Sequence, residues 1–255
     1  MDFFAPALRL HLLGGDVDPV TPAEMLAATE VFLAGGGTAV IANHDSQSLR
    51  LLRRTPAVRA FFEDADLTRI DSLPMILWGR LMGLKVGREH RAAYTDWQGD
   101  FWNIARDRNW RVFHIGGAPG VGERAAAAIR ARHAGVNLAV HDGGFDIDPT
   151  SAGSRALRRD IDAFDPDVIL VGMPLGRQAA WIADNRPMIG RGVFLPVGAA
   201  FDQEAGERSA APRWSADLRL SWLYRLLSRA GRYLVQPWAL TPAALADVGA
   251  RFARR

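Results

Sequence analysis

Where short apolar runs of this chain give way to helical stretches, residues with chemical capability stand at the junctions. Asp71 follows the run 67–70 and precedes a stretch opened by Pro74. A carboxylate there can take a proton from a substrate hydroxyl, or it can cap the next helix together with Ser72. Asn43 closes the run 38–42, where an amide binds a sugar hydroxyl or braces the turn. Gly116, Gly117 and Gly120 lie in "GGAPGVG", between the run 110–115 and an alanine-rich helical stretch. Glycines let the main chain approach a ligand closely, and a helix start offers free N–H groups to a phosphate. A tight strand-to-helix turn needs the same residues. Gln178 and Trp181 stand at i and i+3 on one helix face, behind the turn "VGMPLG". Arg91 and Asp96 fall in a polar, aromatic segment, where an arginine can grip a phosphate through two bonds.

Other chemistries find less support. The glycine spacing is neither G-x-G-x-x-G nor the P-loop pattern with its lysine. No G-x-S-x-G elbow is present, and the six histidines form no H-x-x-H or H-x-x-x-H pair. Several D-x-D triplets occur, and only Asp146/Asp148 follows a strand end, so metal independence is expected. The chain has no cysteine, which removes disulfides and thiolate metal sites.

The elements that must hold these residues alternate. Strands are expected at 8–13, 38–42, 67–70, 110–115, 137–141, 167–171 and 192–197. Helices are expected at about 22–34, 46–54, 74–82, 100–108, 122–133, 153–164 and 177–184, with 83–99 as a long loop. Thr21-Pro22-Ala23-Glu24 is a capping box with proline at the first helical position. Strands alternating with helices imply a parallel sheet covered on both faces, with ligands at the carboxyl ends of its strands. From about residue 211 the alternation stops, which divides the chain into a domain of residues 1–210 and an appendage of residues 211–255.

Charge follows the same division. The 255 residues carry a net +3, yet residues 207–255 hold nine arginines against three acids. A basic tail suggests an anionic partner: phospholipid, a diphosphate-linked lipid or nucleic acid. Trp222, Leu223, Leu226, Ala230, Tyr233 and Leu234 form an apolar stripe beside the row Arg225, Arg229 and Arg232. Such a helix packs on the body or lies at a membrane surface. No apolar run reaches the roughly 18 residues of a membrane span. The amino-terminal residues lack the pattern of a secretory signal.

Taken together in order, "GGDVDPVTPAEML", "IANHDSQSL", "RIDSLPMILWGRLMG", "HRAAYTDW", "FHIGGAPGVGERAAAAI", "DGGF", "VGMPLGRQAAWI" and "LSWLYRLL" resemble the WecG/TagA/CpsF family of bacterial glycosyltransferases. The resemblance implies a Rossmann-like α/β fold with a C-terminal helical appendage. It implies transfer of a sugar from a UDP-sugar to a polyprenyl-diphosphate-linked acceptor in surface polysaccharide synthesis. The site would lie in the cytoplasm, peripheral on the inner face of the membrane, with no cofactor. Asp71 then matches the catalytic base, and Gly116, Gly117 and Gly120 match the nucleotide turn. Asn43, Arg91, Asp96, Gln178, Arg225 and Arg232 match substrate-binding positions. The chain departs from the family at Ile41, where threonine is common, at Ser72, where glycine is, and at Ala179, where glutamate is. Those departures keep open a non-catalytic, membrane-associated partner in an assembly complex; the glycine turn keeps open another doubly wound nucleotide enzyme such as an oxidoreductase, against which the missing G-x-G-x-x-G and the tail count. Nucleic-acid binding has only the basic tail behind it.

Overall fold

The computed structural model describes residues 9–12 and 14–207. The chain divides after Ala205. The expected tail helices, with Arg225 and Arg232, lie outside the described residues.

The first unit is a doubly wound sheet. A small hairpin, β1 (Leu10–Leu12) and β2 (Gly15–Val17), precedes it. Six strands follow: β3 (Thr38–His44), β4 (Leu67–Ile70), β5 (Arg111–Gly116), β6 (Asn137–His141), β7 (Val168–Gly172) and β8 (Gly192–Pro196). They pair in the order β4-β3-β8-β7-β5-β6, every pair parallel. Neighbouring residues on each strand point to opposite faces, and both faces are apolar. Ile41, Val112, Leu170 and Leu195 face one core, while Val40, Phe113, Ile169 and Phe194 face the other.

Helices cover both faces. α1 (Pro22–Ala34), α5 (Tyr94–Asp107), α6 (Val121–Arg132) and α9 (Ala200–Glu204) close the first core. α2 (Ser46–Leu52), α3 (Pro56–Glu63), α7 (Ala152–Phe164) and α8 (Leu175–Asn185) close the second. α4 (Leu73–Leu81) follows β4 directly. Thr21 caps α1 in the expected box: its hydroxyl accepts from the Glu24 N–H, and Glu24 accepts in return.

Four differences from the sequence reading have physical causes. The first run is a hairpin, not a sheet strand. It is pinned to β4 by buried Asp18, which accepts from the Thr68 N–H at 2.7 Å and from Arg9 through two bonds of 2.8 Å. β3 continues through His44, so Asn43 sits inside the strand, paired with Arg69. The segment expected as loop to residue 99 is helical from Tyr94. Asp96 accepts from the Ala93 N–H at the helix start, and Trp97 and Phe101 are buried below. α3 and α9 were not expected; α9 has only five residues, while the eight residues of α3 do carry the helical spacing Val58, Phe61 and Phe62, which the sequence reading passed over.

Candidate active site

The sheet's carboxyl edge carries two clusters of unlike construction. One sits at β3 and β4. Asn43 Nδ2 donates to Asp71 Oδ2 at 2.9 Å, and the Asp71 N–H donates to the His44 carbonyl at 2.8 Å. Asp71 is not the helix cap: Ser72 holds that position in α4 and makes no side-chain cap bond. The Asp71 side chain is 25% exposed, so its carboxylate is both accessible and largely desolvated. Burial pushes its pKa above the usual carboxylate range, while Arg69 and the Asn43 bond pull it back.

Arg69 was not picked out from the sequence. It is fully buried, with Nη1 4.0 Å from Asp71 Oδ2. Nη1 also donates to the Ala92 carbonyl, and Nη2 donates to the Pro196 carbonyl at 3.0 Å. Its guanidinium lies 5.4 Å from the Trp97 ring centroid. A buried charge survives in such a place only when it is paired and bonded. The available signal was an arginine inside the four-residue strand "LTRI", where every position is buried.

Arg91 arrives beside this cluster through the chain after α4. It forms a parallel bridge with Ile70, and the Ala92 N–H donates to the Ile70 carbonyl at 2.8 Å. Its guanidinium pairs with Asp96, whose other oxygen accepts from the Ala93 N–H. Asn43, Asp71, Arg91 and Asp96 therefore gather at the β3–β4 end. Asp96 there serves the geometry of α5 and of Arg91.

The second cluster is made of main chain. β5 leads to α6 on one face and β7 leads to α8 on the other, so their ends part at a topological switch point. Gly116 has φ of 146°, and a Cβ there would stand 2.2 Å from the Gly172 carbonyl oxygen. A Cβ on Gly143 would meet the Gly116 Cα and the Gly117 carbonyl oxygen at 3.3 Å, and the Gly143 N–H donates to that oxygen at 2.9 Å. Gly120 stands at the N-cap of α6. Beneath the crevice lies His114, buried and stacked on Phe201 at 3.5 Å, with neither ring nitrogen hydrogen-bonded.

Gln178 and Trp181 lie behind this edge rather than on it. Gln178 is buried, and with its amide oriented so that the nitrogen faces the β7–α8 turn it can donate to the carbonyls of Val171 (3.2 Å) and Met173 (3.1 Å). Trp181 is core. Asp146 and Asp148 direct oxygens to the N–H groups of Asp148 and Thr150 in their own turn. Ile41 and Ala179 are fully buried in the two cores. Two of the three departures noted above are therefore packing positions in this chain.

Asp71, after β4, and Gly116, at the end of β5, stand four strand positions apart with β3, β8 and β7 between them, about 19 Å at roughly 4.8 Å per position. That is a length for an extended ligand laid across the edge, not for one small group held between them.

A family model described as "Glycosyl transferase WecG/TagA/CpsF family" matches residues 10–253. A relative from Staphylococcus aureus strain MRSA252, named N-acetylglucosaminyldiphosphoundecaprenol N-acetyl-beta-D-mannosaminyltransferase, is 26% identical over 227 residues, covering 86% of this chain and 84% of its own. A protein of the same name from strain NCTC 8325 / PS 47 is 25% identical over the same length.

Proposed function

From a chain that belongs to the WecG/TagA/CpsF family, and so is a glycosyltransferase, we propose an inverting transfer from a UDP-sugar to a polyprenyl-diphosphate-linked acceptor. The single observation that carries the reading is the Asn43–Asp71 pair, an accessible carboxylate whose pKa burial has raised. A carboxylate so tuned is a better proton acceptor than a fully solvated one. The acceptor hydroxyl oxygen attacks the anomeric carbon from the face opposite the nucleotide. The bond from that carbon to the diphosphate oxygen breaks, and Asp71 takes the hydroxyl proton. Asn43 holds the carboxylate in place and faces the sugar. The donor lies along the sheet edge, its nucleotide over Gly116, Gly117 and Gly120 and its sugar toward Asp71. N–H groups at the α6 start offset charge growing on the departing diphosphate, and the Arg91 guanidinium, at the Asp71 end, is left to meet a phosphate of the acceptor. Gln178 acts by fixing the β7–α8 turn.

The relatives' names state an undecaprenyl-diphosphate acceptor, and the same lipid class is proposed here. Among the described residues no helix is long and apolar enough to cross a membrane. Peripheral attachment at the inner face, helped by Arg225 and Arg232, fits a lipid-linked substrate. The reaction as written needs no metal.

The test is a screen of UDP-sugars with a short-chain lipid-diphosphate acceptor, run on the wild type and Asp71→Asn. The variant keeps the shape and loses the base, so the rate should fall about 10²–10⁴-fold, with UDP affinity unchanged by calorimetry. Full turnover by Asp71→Asn would remove the base assignment. Tight binding of NADH in place of UDP would remove the donor.

A further inference from the structure

α4 presents an apolar face that the rest of the described chain leaves uncovered. Leu73, Leu77 and Leu81 recur at four-residue intervals and share one side of the helix. Leu77 is 51% and Leu81 74% exposed, although both are large and aliphatic. The opposite side is packed: Met75, Ile76 and Gly79 are buried, and a Cβ on Gly79 would come within 2.7 Å of Val86. α4 is therefore held firmly to the body by one face while the other stands in solvent.

The chain after α4 gives this face a charged border. Gly83, at φ of 77°, ends the helix: its N–H donates to the Arg80 carbonyl, and the Leu84 N–H donates to the Gly79 carbonyl. That reversal keeps Lys85 and Arg88 beside the helix end. Arg80, Lys85 and Arg88 are exposed, against one carboxylate in the same turn, Glu89. Leucines in a row with long cationic side chains at their edge match a lipid interface. The apolar side chains enter the acyl boundary and the cations meet phosphates.

We propose that α4 and the turn at residues 80–88 form a contact surface for an anionic lipid bilayer. The proposal rests on the reading of a lipid-linked acceptor and adds a surface within the catalytic unit, separate from the tail. Its consequence for catalysis is one of placement. α4 starts two residues after Asp71 and spans about 13 Å, so seating it at the interface brings the base to the level of lipid phosphates.

Lys85 is the only lysine in the chain, which supplies a direct probe. The full-length protein is incubated with vesicles of phosphatidylglycerol and phosphatidylcholine, or of phosphatidylcholine alone. An amine-reactive reagent is added, and acylation of Lys85 is read by peptide mass. Anionic vesicles should slow the labelling of Lys85 at least fivefold, and neutral vesicles should not. Sedimentation of Leu77→Ser/Leu81→Ser with the anionic vesicles should fall at least tenfold relative to wild type. Thermal unfolding should be unaltered, because both side chains are exposed. Unchanged labelling of Lys85 in wild type, or unchanged sedimentation of the folded variant, would overturn the proposal. So would a variant that lost only self-association. Turnover separates this idea from the functional reading. The variant should still transfer sugar to a soluble short-chain acceptor and fail on the vesicle-embedded one. Vesicle binding through α4 without any sugar transfer would retain the surface and reject the transferase chemistry proposed above.

Discussion

At β3 and β4 the sheet edge is lined with side chains: Asn43, Asp71, buried Arg69 and the Arg91–Asp96 pair. At β5 and β7 it is lined with main chain, because Gly116, Gly143 and Gly172 keep Cβ atoms out of the space. The first end can hold and move a proton. The second can only cradle, and for that it needs close approach and nothing more. On the function proposed above, one sheet edge divides reaction from grip, and substitutions at its two ends should fail differently.

Gly116→Ala should break the cradle through the fold. The added methyl overlaps the Gly172 carbonyl in a backbone conformation that alanine avoids, a cost of about 2–6 kcal/mol. Denaturant unfolding should register it together with loss of UDP binding. Asp71→Asn should do the opposite, with rate lost and stability kept. Gly176→Ala, in the first turn of α8 with nothing within 4 Å of the new Cβ, is the control and should gain about 0.5–1 kcal/mol.

Arg69→Met sharpens the reaction end. It leaves the carbonyls of Ala92 and Pro196 without their donor, at about 1–3 kcal/mol each. It also removes the charge that holds the Asp71 pKa down. The acid limb of kcat/KM should move to higher pH, a shift that simple destabilisation does not produce.

The cradle end has its own pH signature. Burial lowers the His114 pKa to about 3, and that of His44, beside Phe62 at the other end, to about 4. Both folded values lie below the unfolded value of about 6.5. Their contribution is complete above pH 6.5 and is lost as pH falls toward those values. Each imidazole should cost about 2 kcal/mol of stability between pH 7 and pH 5. His114→Leu, which removes two unbonded ring nitrogens, should reduce that loss by one imidazole's share while changing stability little at pH 7.

The alternation of elements was legible because each strand is a short apolar run and several helices carry clear caps. The glycine turn and Asp71 were legible because junctions of that kind sit at the carboxyl edge by rule. What was hidden is non-local. The strand order, which separates Asp71 from Gly116 by three strands, leaves no trace in any segment. Arg69 looks like a surface residue until Ala92, Trp97 and Pro196 close around it. The start of α5 was obscured by polar residues in its first turn, which is where a helix tolerates them.

Arg69 ties a strand, the approach to α5 and the end of β8 into one rigid knot. These two bonds form as the polypeptide folds, although the buried Nε has no partner among the described residues. With Asn43 bonded to the carboxylate beside that knot, an Asp71 acting as the proposed base would be aimed in advance, and the cost of orienting it would fall on folding rather than on each turnover.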